Sequence, residues 1–170
     1  AASDPAAFRV TTWGGTPHNV RVRNNVFYSH KGSTGTVKLI DTPVNSTYAF
    51  QGNDYFDDTS AFTIRWGSTT YTSLTSWLTA ATTQERVNGT VVAKNVNPLL
   101  ASPGAGGTIG NADLLETALT AYKLQAGSPL IDAGQNLPVL FGTNVGSRDF
   151  YGDLIPQNGS FDIGADEYFA

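Results

Sequence analysis

The sequence predicts an all-β fold of the solenoid kind, with short strands wound into stacked coils, and three observations carry that expectation. Hydrophobic residues make up 40% of the 170 positions but charged ones only 14%, against roughly 25% charged in an ordinary globular domain. The surface therefore has to be built from Thr, Ser, Asn and Gly, which suit pleated surfaces and tight corners. Several short segments alternate apolar and polar residues with period two. Two of them repeat one plan 28 residues apart, inside the roughly 20–50 residue period of solenoids. The length fits a single domain over residues 1–170.

The elements follow in order. Residues 19–28 read NVRVRNNVFY, in which Val20 and Val22 alternate with Arg21 and Arg23 before an Asn pair and a second apolar run. This is strand, corner, strand. Residues 48–56, YAFQGNDYF, repeat it and align Asn25 with Asn53, Phe27 with Tyr55 and Tyr28 with Phe56. Residues 35–41 and 62–66 supply further alternating strands. Coils are expected over residues 8–70, with Val20, Val22, Val37, Leu39 and Ile64 inward. Asn25 and Asn53 suit a corner stack, since an amide can donate to one coil and accept from the next; the plainer reading is two turn residues. Residues 72–81 have a Ser/Thr start and apolar spacing i, i+3, i+4, i+7, which predicts a short capped amphipathic helix on the flank. Beyond Asn95, with Pro98, Pro103, a Gly-rich stretch at 104–110 and a short helix within 112–119, an irregular cap or tail is expected.

A net charge of −4 and a pI near 4.9 exclude nonspecific nucleic-acid binding, which needs a basic field. There is no cysteine, hence no disulfide frame or thiolate metal site. No apolar run approaches the roughly 18 residues that span a bilayer. The first residue is Ala1, not Met, as in a chain cut from something longer. Sequons at Asn45, Asn88 and Asn158 add little to a case for secretion in a chain so rich in Asn, Ser and Thr.

The segments YKLQAGSPLIDAG at 122–134, DFYGD at 149–153 and FDIGADEY at 161–168 resemble the C-terminal ends of secreted right-handed parallel β-helix proteins of the pectate-lyase-like kind. Asn97-Pro98-Leu99-Leu100, Tyr71-Thr72-Ser73-Leu74, Trp77 and Gln84-Glu85 look like the elements that precede that ending. The resemblance covers about residues 20–168. It implies a right-handed parallel β-helix with a short flanking helix and an irregular C-terminal cap. It also implies an extracellular setting and a polysaccharide partner. On that reading the chain is the C-terminal portion of a carbohydrate-active protein, a polysaccharide lyase or glycoside hydrolase with its catalytic residues mainly outside this chain. The alternative is a non-catalytic glycan-binding or structural cell-surface module. Upstream coils of the same precursor, or a second copy of the chain, are the expected neighbours of its first strands. The ending itself reads as structural, with Ser128-Pro129 and Gly134 setting turns and Asp132 accepting from nearby amides.

For recognition, Arg21, Arg23, Lys38 and Arg65 alternate outward from their strands and would line a groove for an acidic polysaccharide, where guanidinium groups bind carboxylates bidentately. A solvated face with scattered charges is the competing reading. Aromatic faces stack on the C–H side of pyranose rings: Trp13, beside Gly14-Gly15, and Tyr55 are the candidates, while Trp66 and Trp77 belong to the core. Asp54, Asp57 and Asp58 cluster after the second Asn corner as candidate calcium ligands or an acid/base pair, against the reading of a solvated turn. Asp149, Asp153, Asp162 and Asp166 read as turn caps. His18 and His30, with no partner at ligand spacing, do not make a zinc site.

Overall fold

The structure, a computed structural model, describes residues 5–30, 37–106, 110–111, 115–157 and 159–169. The first residues of two expected segments, Gly35-Thr36 and Ala112–Leu114, and Asn158 of the third sequon lie outside the described residues. Two compact units divide the chain, Ala1–Val96 and Asn97–Ala170.

The first unit runs β1 (Ala6–Arg9), β2 (Arg21–Arg23), β3 (Val26–Ser29), β4 (Lys38–Thr42), β5 (Ala49–Gln51), β6 (Asp54–Asp57), β7 (Ile64–Trp66), β8 (Thr69–Tyr71), α1 (Leu74–Ala80), β9 (Arg86–Val87) and β10 (Thr90–Val91). Parallel pairing follows the sequence offset: β2 lies on β5 and β3 on β6, with Phe27 against Tyr55 and Tyr28 against Phe56. A third set, in the order β1-β4-β7-β8, is mixed.

The expectation of a right-handed parallel β-helix over residues 8–70 is corrected here. The strands form small separate sheets, one of four strands and three of two, and no closed or solenoid sheet arises among the described residues. The β2–β5 pairing stops at two strands, and beyond β6 the β3–β6 pairing continues only as an isolated parallel bridge between Asp54 and Lys94. The third is ended by a reversal: Gly67, at φ +66°, turns the chain so that β8 runs antiparallel to β7. A side chain is ill suited to Gly67, where the left-handed backbone and Val44, 2.8 Å from a would-be Cβ, both oppose it. The β9–β10 hairpin is antiparallel as well. Its two-residue loop, Asn88 at φ 49° and Gly89 at φ 81°, has the positive angles that match strand twist in a tight hairpin.

Inside the first unit, Val22, Leu39 and Ile64 are buried as their alternation predicts, and Val20 and Val37 are half-buried. The core is dominated by rings. Phe27 stacks on Tyr55 at 5.3 Å, Tyr55 meets Trp77 edge-on at 5.5 Å, and Trp77 meets Trp66 at 5.6 Å. Each such contact adds about 0.5–1.5 kcal/mol beyond the area buried. The expected flanking helix is present as α1: the Ser73 hydroxyl caps it by accepting from the Ser76 amide at 3.1 Å, and Trp77 and Leu78 are its buried residues.

The second unit has α2 (Leu115–Ala118), a 3-10 turn (Thr120–Tyr122), α3 (Leu137–Phe141) and isolated bridges such as Leu100 with Leu124. With so few ladders, backbone amides need other acceptors, and carboxylates supply them. Asp162 accepts from the amides of Asp132 and Tyr168, both at 2.7 Å. Glu167 accepts from Gln157 and Asp162, and Asp149 from Tyr151, Asp153 and Glu167. The Asp132 carboxylate, expected to accept from nearby amides, receives none among the described residues, while its backbone amide is one of the donors to Asp162. The 122–134 and 161–168 segments clasp each other through Gly134 N–H to Phe161 O at 2.6 Å and Ile163 N–H to Leu130 O at 3.1 Å. Gly134 has to be glycine because a Cβ there would lie 2.4 Å from the Asp162 carbonyl oxygen.

Candidate functional site

One concave site of the first unit grows out of strand register. Pairing of β1 with β4 and of β4 with β7 sets Arg9 beside Asp41 and Asp41 beside Arg65. Asp41, 3% exposed, accepts from Arg9 Nη2 at 3.1 Å and from Arg65 Nε at 2.5 Å. Arg65 is half in solvent and, among the described residues, hydrogen-bonds through Nε alone, so its Nη groups can meet an incoming carboxylate. The buried Asp41 fixes where they point.

These residues line a groove of about 750 Å³ together with Trp13, Thr42 and Val44. Trp13 is 96% exposed. It sits in the turn closed by Gly15 N–H to Thr12 O, with Gly14 at φ 76°. An indole held in water at the rim of a groove forgoes the favourable burial such a ring ordinarily gains, and both of its faces are open to a stacking partner.

Of the six residues expected to bind substrate, the structure brings Trp13 and Arg65 together in this groove. Arg9 and Asp41, which complete it, were missed; the signal for them was the pairing register of β1, β4 and β7, because the three residues are 32 and 24 positions apart. Arg21 is exposed and donates to the Thr47 and Val20 carbonyls. Arg23 donates to Gln51 Oε1 at 2.8 Å, and burial, then its neighbour Arg21, lower its pKa. Neither lines the groove. Lys38 is buried, not outward, because every residue of β4 is covered.

Tyr55 is wholly buried, since the pleat of β6 turns it inward with Phe27 and leaves Phe56 half-exposed. Its hydroxyl donates to Glu85 Oε1 at 2.5 Å, and burial pushes its pKa well above the usual tyrosine value. Glu85 also accepts from the Gly52 and Asn53 amides and from Asn53 Nδ2. Asn53 Oδ1 in turn accepts from the Asn25 amide and side chain at 2.9 and 3.2 Å. The Asn stack thus ends on a buried carboxylate, whose pKa burial raises against those four hydrogen bonds.

Asp54, Asp57 and Asp58, expected as a metal or acid/base cluster, go to separate surroundings. Asp54 is buried, accepts from the Val96 amide at 3.1 Å, and is pushed up to about 6 by that burial. At Asp57 burial works upward, but hydrogen bonds from Ser29, Thr59 and Ala61 prevail and hold its pKa below the usual value. Asp58 accepts from Tyr28 Oη at 2.8 Å and faces His30 Nδ1 at 2.7 Å. The carboxylates that do converge, among the described residues, are Asp149, Asp153 and Asp166 of the second unit, with oxygens within 4.8 Å of one another. Lys123 Nζ stands 3.5 Å from Asp153 and 3.6 Å from Asp166, so a cation of the chain already balances part of their charge.

Comparison with protein-family models, with curated proteins and with solved structures finds no match to this chain.

Proposed function

We propose that the first unit binds an acidic polysaccharide, a uronate-bearing chain, in the Arg9–Asp41–Arg65 groove with Trp13 as its stacking platform. The observation that carries this reading is the pairing of a fully exposed indole with a pre-oriented guanidinium in one groove. A pyranose presents an apolar C–H face to an aromatic ring, and a uronate adds a carboxylate that the free Nη groups of Arg65 take end-on. The likeness of residues 122–134 and 161–168 to the endings of carbohydrate-handling proteins supports the same setting. Recognition is favoured over hydrolysis, because glycosidases use two carboxyl groups across the bond. Asp41 is the one carboxylate among the groove's lining residues, and both of its oxygens are occupied.

Calorimetric titration with oligogalacturonate and with a neutral glucan of equal length tests the reading. The acidic oligomer binds more tightly, and raising the salt to about 0.5 M weakens it because the Debye length falls well below 10 Å. Arg65→Gln lowers affinity about tenfold, the equivalent of roughly 1.4 kcal/mol. Equal affinity for both oligomers, or no effect of Arg65→Gln, would remove the proposal.

A further inference from the structure

Another cavity of the first unit is left unused by the acidic-glycan reading. Its volume is about 450 Å³, inside the roughly 300–1,000 Å³ of small-ligand pockets. Phe56, held against Tyr28 with ring centroids 5.5 Å apart, and Phe62 give it half-buried aromatic walls. Ser60, Thr72 and Thr75 also line it, and their hydroxyl groups have no hydrogen-bond partner among the described residues. Asn95 adds an oriented amide: its Nδ2 donates to the Tyr55 carbonyl at 2.7 Å, which leaves Oδ1 as an acceptor.

The charge of this cavity is as telling as its shape. Asp57 is its one charged lining residue, and Asp57 takes four hydrogen bonds, from Ser29 Oγ, Thr59 N, Thr59 Oγ1 and Ala61 N. An anionic sugar would meet that carboxylate and no cation. A neutral polyol meets hydroxyl groups that both donate and accept. Ser60, beside Phe62 at the wall, holds φ +61°, a left-handed conformation that costs a residue with a side chain about 1–2 kcal/mol. Strain of this kind concentrates where a side chain has to be presented.

We infer that this cavity is a subsite for a neutral hexopyranose ring, stacked on Phe56 and Phe62 and hydrogen-bonded by Ser60, Thr72, Thr75 and Asn95. The inference goes beyond the acidic-glycan reading and does not rest on it.

The test is amide chemical-shift mapping of the whole isotopically labelled chain with cellotriose, maltotriose and mannotriose, each to about 10 mM, well above the millimolar dissociation constants of single-ring contacts. At least one of the three moves the amides of Ser60, Phe62, Thr75 and Asn95 and leaves the Trp13 indole N–H in place. Phe62→Ala weakens that binding about five- to tenfold. Thr75→Val, at an exposed position that leaves the core untouched, weakens it about threefold, as expected for one lost neutral hydrogen bond. If none of the three sugars moves these amides, or if Thr75→Val and wild type bind alike, the inference is overturned. Trigalacturonate is the separate control. Shifts at Trp13 and Arg65 with that sugar report the acidic groove whatever the neutral sugars do, and shifts at Phe62 and Asn95 with it, in place of the neutral sugars, would refute the neutral assignment.

Discussion

Replacing Glu85 with Ala should be among the most damaging single substitutions in the first unit. Glu85 is fully buried and ends the Asn25–Asn53 stack. Its removal strips the acceptor from the Gly52 and Asn53 amides and from the Tyr55 hydroxyl. Asn53 Nδ2 keeps one partner, the Val22 carbonyl at 2.9 Å. Three buried donors are therefore orphaned, at about 1–3 kcal/mol each. Relief from burying the carboxylate, visible in its raised pKa, offsets part of this, and the net loss should be about 3–5 kcal/mol. With a urea slope of roughly 1–3 kcal/mol per molar, the midpoint should fall by about 2 M. Trp66 and Trp77, in contact within the core, report the transition by fluorescence, and a Trp13→Phe background removes the exposed indole. Glu85→Gln keeps the shape and one acceptor oxygen, so its loss should be about half as large. A Glu85→Ala variant within about 1 kcal/mol of wild type would refute the reasoning that this carboxylate organises the corner.

Three further outcomes follow from other sites. Asp54, raised from 3.8 to about 6 by burial, binds its proton more tightly folded than unfolded; its contribution is complete below about pH 4 and is lost as pH rises through 6, up to roughly 3 kcal/mol. Urea unfolding at pH 5 and pH 7 should show the first unit more stable at pH 5, with Asp54→Asn flattening the difference. Gly134→Ala should loosen the clasp between the 122–134 and 161–168 segments, because the added methyl would overlap the Asp162 carbonyl; proteolysis or amide exchange of the Ile163 N–H gives the readout, and unchanged protection would contradict it. Lys123→Met removes the cation standing between Asp153 and Asp166, and thermal unfolding should show the second unit weakened by up to about 1 kcal/mol, an effect that acidification reduces as Asp166, whose pKa burial raises, protonates.

What the sequence disclosed depended on whether the deciding contacts repeat along the chain. The 28-residue offset was legible because Asn25 and Asn53, Phe27 and Tyr55, and Tyr28 and Phe56 repeat residue types, and the strands that carry them pair in that register. Helix α1 was legible from Ser73 and the spacing of Trp77. Continuation into a β-helix was not, because one parallel set is ended by a local event, the Gly67 turn that sends β8 back along β7, the other two do not grow beyond their paired strands, and periodicity carries no mark of where a ladder stops. Tyr55 was drawn to the surface by its residue type, whereas its hydroxyl is satisfied internally by Glu85, a partner 30 positions away. Trp13 was legible as an exposed ring. The Arg9–Asp41–Arg65 line was not, because opposite charges on three separate strands meet only once the register is known.

The acidic-glycan groove is tested most directly at Trp13. Trp66 and Trp77 are buried and Trp13 is almost fully exposed, so acrylamide quenching of tryptophan emission reports chiefly on Trp13, and the Trp13→Phe variant gives the residual signal of the other two. Saturating oligogalacturonate should protect the quenchable fraction in the wild type, to the level of that variant, and should lose this effect in Arg65→Gln at the same concentration. Quenching that is unchanged by oligogalacturonate, or that a neutral glucan suppresses equally well, would contradict the assignment of this groove to an acidic polysaccharide.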